Sequence, residues 1–117
     1  MIVIKIPADL SPHHIVDIDN DDVLGGLHRV CGCDVVERVV PRCFPGGFAM
    51  VVDGEAGLKD NVKQNRVAGL LYGGFIGGDV VIIGETVTND GIEFCGISPD
   101  DIGHWLWWLN GIRTSLL

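Results

Sequence analysis

Gly78-Asp79-Val80-Val81-Ile82-Ile83-Gly84 decides the fold. Consecutive β-branched residues bounded by glycines make a strand, and a run that is apolar at every position is covered on both faces. This strand is therefore expected at the centre of a sheet. Phe48-Ala49-Met50-Val51-Val52-Asp53 supplies a second strand. Asp34 to Val40, stopped by Pro41, supplies a third, and the Pro45-containing turn Cys43–Gly47 joins the two as a hairpin. Residues 1–6 alternate as a strand ended by Pro7, and the turn Asn89-Asp90-Gly91 leads into a short strand at Ile92–Cys95. Residues 8–21 are polar and turn-rich. Glycines at the strand ends fit a curled sheet. The expected fold class is α+β: a curved, barrel-like, largely antiparallel sheet of roughly five or six strands carrying two helices.

The first helix is expected over 21–31, where Val23, Leu24, Leu27, Val30 and Cys31 fall at helical spacing. Asp19 or Asn20 can cap it and Gly32 can stop it. Gly25 and Gly26 each cost about 1 kcal/mol relative to Ala, so tertiary packing must hold this helix. The second helix begins at Ser98 as cap, with Pro99 in the first helical position, Asp100 and Asp101 at the positive end, and Gly111 as its expected stop. At about 100° per residue, Ile102, Trp105, Leu106 and Leu109 form one apolar stripe. The other side carries His104, Trp107 and Trp108 where polar residues are expected. A helix that is apolar all round is buried on both sides, and in so small a chain a second chain or a ligand is the simplest cover.

The chain has 117 residues, 47% of them hydrophobic and 21% charged, which fits a single domain over 1–117 and gives ample material for one core. Its formal net charge of -8 disfavours nucleic acid as a partner, since phosphate contacts need clustered Lys and Arg. No run approaches the ~20 apolar residues of a membrane span. No secretory leader is visible, so the four cysteines are expected as reduced thiols of a cytoplasmic protein.

Chemistry-bearing patterns are weak. Cys31-x-Cys33 with Cys43, Cys95 and four histidines lacks the paired spacing of a zinc site, and Cys43 and Cys95 lie beside Phe44 and Phe94 as small buried hydrophobes do. Asp17-x-Asp19-x-Asp21 begins like a calcium loop but lacks its glycine and distal glutamate. Gly73-Gly74-Phe75-Ile76-Gly77-Gly78 has no following Lys-Ser or Lys-Thr, so its glycines read as bends rather than a phosphate loop. No nucleophile–base grouping is recognisable, so no catalytic residue, metal site or cofactor is assigned and the chain is not expected to be an enzyme. Lys59, Lys63 and Arg66, with Asn65, form the one basic-polar cluster, on a segment that reads equally as a short helix over Leu58–Ala68 or an ordered loop. Asn65 could instead serve the loop backbone.

A set of short motifs runs through the chain: Leu24-x-x-Leu27-x-x-Val30-Cys31-Gly32, Val35-Val36-Glu37-x-Val39, Val51-Val52-Asp53-Gly54-Glu55-Ala56-Gly57-Leu58, Asn65-Arg66-x-Ala68, Gly78–Gly84, and Ile97-Ser98-x-x-Asp101-Ile102. Together they resemble a family of small domains of unknown function found in bacteriophages and in bacteria carrying mobile elements. The resemblance covers about residues 1–110, and Glu55–Ala68 and the Gly78–Gly84 strand are its most specific pieces. It implies an accessory role in the host-cell cytoplasm and no particular activity. The three tryptophans of the last helix depart from the charged outer face such domains carry.

Two functions follow as expectations. The first is non-enzymatic binding through His104, Trp107 and Trp108, either to a second copy as a homo-oligomer or to a host protein, with counter-defence as a specific version. The second is a binder of a small, nucleotide-like anion held by Lys59, Lys63, Asn65 and Arg66, with an aromatic ring stacked on it.

Overall fold

The computed structural model describes every residue, Met1–Leu117. Its elements are β1 (Ile2–Ile6), β2 (His14–Asp17), α1 (Val23–Cys31), β3 (Val36–Val39), β4 (Phe48–Asp53), a 3-10 turn (Ala56–Leu58), α2 (Arg66–Tyr72), β5 (Val80–Thr88), β6 (Gly91–Cys95) and α3 (Pro99–Ser115). All strand pairings are antiparallel, in the order β2-β1-β5-β4-β3, with β6 also on β5.

The β5 strand is central, as its composition requires. Val80 to Ile83 are wholly buried. Val80 and Ile82 share one face with Ile4, Ile6, Met50 and Val52, and this face packs under α2 and α3 through Val67, Leu71, Trp105 and Leu109. Val81 and Ile83 share the other face with Val3, Ala49 and Val51, under Leu27 and Cys31 of α1. The sheet is thus the middle of three layers. It does not close on itself. β2, β3 and β6 each pair on one side only and remain as edges, so the barrel-like expectation overstates its curvature. Beyond Ile82, β5 outruns β1, and β6 takes over the same side from Gly84, which pairs with Cys95. A Cβ on Gly84 would meet the Cys95 and Gly96 carbonyl oxygens at 3.0 Å, so a larger residue there would press the β6 backbone away.

Three helices stand where the sequence leads one to expect two. α2 occupies Arg66–Tyr72, later than the Leu58–Ala68 helix the sequence suggests, because Asn65 caps it and Gly73, at φ 84°, ends it. Its buried residues Val67, Ala68 and Leu71 fill the space between the sheet and α3. The polar stretch 8–21 contains strand β2, paired on β1 from Ile2↔Asp17 to Lys5↔His14. As an exposed edge it needs no apolar alternation, which is why composition hides it.

α1 is capped by Asp22, whose carboxylate accepts from the Gly25 amide, rather than by Asp19 or Asn20. Gly32, at φ 65°, stops it as expected. α3 starts as the sequence indicates, with the Ser98 hydroxyl accepting from the Asp101 amide. It does not stop at Gly111. Ile112 and Leu116 continue the packed stripe, and that burial outweighs the weak helix propensity of a single glycine.

Candidate functional site

α3 presents two different aromatic surfaces. Trp105 and Leu109 are buried against the sheet, with Ile102, Leu106, Ile112 and Leu116 beside them. The Trp105 ring lies 4.8 Å from Phe44, 5.4 Å from Phe48 and 5.2 Å from Trp108, between centroids. Helical spacing alone puts Trp108 on the outer face with His104 and Trp107. Instead it sits three residues on from Trp105, half-buried, as the rim of this aromatic cluster. Trp107 is 81% exposed, and His104 beside it is exposed as well.

Trp107 is bracketed by Gly103 and Gly111, one helical turn before and after it on the same face. A Cβ at either glycine would meet nothing within 4 Å. Neither glycine serves a turn, a positive φ or a close approach inside the molecule. Two grooves of about 410 Å³ flank the indole. One is lined by Pro45, Phe48, Asp101, His104, Trp105, Trp107 and Trp108. The other runs over Gly111 between Trp107, Trp108, Asn110, Ile112 and Ser115. α3 is anchored from behind. Arg113 Nε donates to the Leu10 carbonyl at 2.7 Å, and His13 Nε2 donates to the Leu106 carbonyl at 3.2 Å. Burial holds the His13 imidazole below its ordinary pKa, against the opposing effect of that hydrogen bond.

The basic-polar cluster does not assemble. Asn65 is 0% exposed. Its Nδ2 donates to the Ile6 and Gly78 carbonyls, and its Oδ1 accepts from the Ala68 amide. No ligand can reach it. The structural alternative is correct: Asn65 ties β1, the entry to β5 and the start of α2 together. Lys59 Nζ lies 2.6 Å from Asp53 Oδ2. Burial alone would raise the Asp53 carboxyl, but the hydrogen bonds from Lys59 and the Glu55 amide bring it below its ordinary value. Lys63 and Arg66 stay exposed, but Arg66 lines a groove with Gln64, Gly69, Leu70, Gly73, Gly74 and Leu116 that includes neither lysine.

The cysteines are all free thiols. Cys31, the last residue of α1, and Cys33 lie in the core, whereas Cys43 and Cys95 are not the buried hydrophobes expected: Cys43 is exposed in the β3–β4 connection and Cys95 is half-buried at the end of β6. Burial pushes the Cys31 thiol up to about 12. At pH 8, a disulfide reagent should therefore modify Cys43 quickly and Cys31 only after denaturation. Rapid modification of Cys31 in the native chain would show that α1 opens readily. No group of three or more His, Cys, Asp or Glu side chains is placed to hold a metal ion. No helix is long and apolar enough to cross a membrane.

Comparison with protein-family models, with curated proteins and with solved structures finds no significant match.

Proposed function

We propose that this protein acts by binding rather than catalysis, and that the outer face of α3 is occupied by a second copy of the same chain. The single observation behind this is Trp107, 81% exposed between two helix glycines that have no task inside the molecule. Each glycine costs roughly 0.5–1 kcal/mol relative to alanine. Both become useful when another helix approaches closely at those positions. Trp107 and the groove over Gly111 are one turn apart on one helix. Two copies related by a two-fold axis between them, with α3 helices antiparallel, place each indole in the other's groove at once. A buried tryptophan contributes strongly to an interface once water is excluded around it.

Within this reading the chain is a small accessory protein of a phage or mobile element, working in the cytoplasm. The motif resemblance and the four free thiols support that setting. A nucleotide-like ligand is not retained, because Asn65 and Lys59 already have internal partners.

Light scattering tests the proposal. The wild-type mass should be twice 12.6 kDa, and Trp107→Ala should halve it without changing the far-ultraviolet spectrum. Truncating a central indole typically costs about 2 kcal/mol or more, so the dissociation constant should rise by about thirtyfold or more. Salt should strengthen the dimer, because two chains of net charge -8 repel each other. A wild-type monomer at high protein concentration would refute the proposal.

A further inference from the structure

The protein has eight Lys and Arg side chains against sixteen Asp and Glu. Lys5, Arg29, Arg38 and Lys59 form ion pairs with Asp79, Asp22, Glu85 and Asp53. Arg113 is bound to the Leu10 carbonyl. Lys63 is exposed and forms no ion pair, but it lines neither of the grooves that Arg42 and Arg66 border. Arg42 and Arg66 are left, exposed and without an acidic partner. In a chain with twice as many acids as bases, two unpaired arginines on one surface are a specific local feature.

Both arginines border the same ground. Arg42 lines a groove of about 540 Å³ with Val40, Leu70 and Tyr72. Arg66 lines the adjoining groove, and Leu70 and Gly73 belong to both. On α2, Arg66 and Leu70 are i,i+4 neighbours on one face. Tyr72 also borders Phe75 across the next recess, but that recess carries the Glu37 and Asp53 carboxylates and so falls outside the docking strip. Val40, Leu70 and Tyr72 are all exposed large hydrophobics, with Leu70 at 60%. The surface therefore has an apolar strip at Val40, Leu70 and Tyr72, with Arg42 bordering its groove and Arg66 bordering the groove that shares Leu70. This strip is separate from Trp107, which borders none of these recesses.

We propose that this α2 surface docks an acidic, apolar segment of a partner protein, with Leu or Phe side chains on the Val40–Leu70–Tyr72 strip and carboxylates on Arg42 and Arg66. Guanidinium–carboxylate pairs are planar and bidentate, which fixes the register of such a segment while apolar contact supplies most of the affinity. A protein segment suits the surface better than a nucleic acid, because two guanidiniums are too few to hold a polyphosphate backbone while the exposed strip favours apolar side chains. This inference goes beyond the α3 dimer and does not depend on it.

The experiment uses the whole chain, immobilised, and two nine-residue peptide libraries. In one, Asp or Glu brackets a Leu, Phe or Met core. In the other, Asn or Gln replaces every acid. The acidic library should be retained about tenfold more strongly than the amide library, and the difference should shrink as salt rises. Arg42→Glu with Arg66→Glu should abolish the preference at an unchanged melting temperature, since both side chains are exposed. Arg42→Gln with Arg66→Gln should weaken it in the same direction. Trp107→Ala should bind the acidic peptides as wild type does. Equal retention of the two libraries, or a preference that survives the reversal, would overturn the proposal. A fall in solution mass on the double reversal would overturn it too, because the surface would then be filled by a second copy.

Discussion

Asn65→Ala is expected to destabilise the protein by about 3–5 kcal/mol and to lower its melting temperature by roughly 10–20 °C. The side chain is fully enclosed and makes three hydrogen bonds. Alanine leaves the Ile6 and Gly78 carbonyls facing a void and removes the cap from the Ala68 amide. A buried polar group left without its partner costs roughly 1–3 kcal/mol, and a lost N-cap roughly 0.5–2 kcal/mol. Total stabilities of small domains are of order 5–15 kcal/mol, so this one change removes a large share. Asn65→Asp separates the contributions. Aspartate is as good a cap, but it has no donor, and it turns a carboxylate toward the two carbonyl oxygens that now receive N–H groups. It should melt at or below the temperature of the alanine variant. Urea unfolding of both variants is the measurement. Wild-type stability in the Asn65→Asp variant would mean that the bonds to Ile6 and Gly78 contribute little and that capping alone explains this asparagine.

Asn65 also shows where the sequence can be read and where it cannot. Local signals work where the physics is local. The all-apolar run at Val80–Ile83 marks the central strand, Gly32 marks the end of α1, and Ser98-Pro99-Asp100-Asp101 marks the start of α3. β2 is hidden because an edge strand needs only one paired side, and His14, Ile15 and Asp17 are exposed. α2 is blurred because Gly69 depresses its helical pattern, although Asn65 and Gly73 bracket it as a proper cap and stop. The proximity of Lys59, Lys63, Asn65 and Arg66 along the chain suggests one cluster. In space, one of them is enclosed, another is drawn to Asp53, and the remaining two do not share a recess. Trp108 escapes a reading by helical spacing because spacing gives only an angle, whereas Phe44 and Phe48, which complete its surroundings, come from distant parts of the chain. On α3 the decisive pattern, glycines four residues before and after Trp107, is present in the sequence. It becomes legible only once the helix is seen to run through Gly111 instead of ending there.

Gly103→Gln with Gly111→Gln is expected to abolish the dimer while making the monomer more stable. These two effects have opposite signs, and few substitutions separate assembly from folding so cleanly. Glutamine is close to alanine as a helix former, and a Cβ at either position enters open space. Each replacement should therefore contribute roughly 0.5–1 kcal/mol to the folded monomer. The gain is best read in the Trp107→Ala background, where both chains are monomers and mass action does not enter the comparison. There the melting temperature should rise by about 4–8 °C. With Trp107 intact, the same two glutamines stand on either side of the indole and fill the space a partner helix needs. The double variant should sediment at 12.6 kDa at concentrations where wild type is dimeric. A dimer that persists would show that the helices do not approach at the glycines, even if Trp107 is essential. A monomer that loses stability would show that the glycines have a task inside the fold, which would remove the reason for placing a second copy against α3.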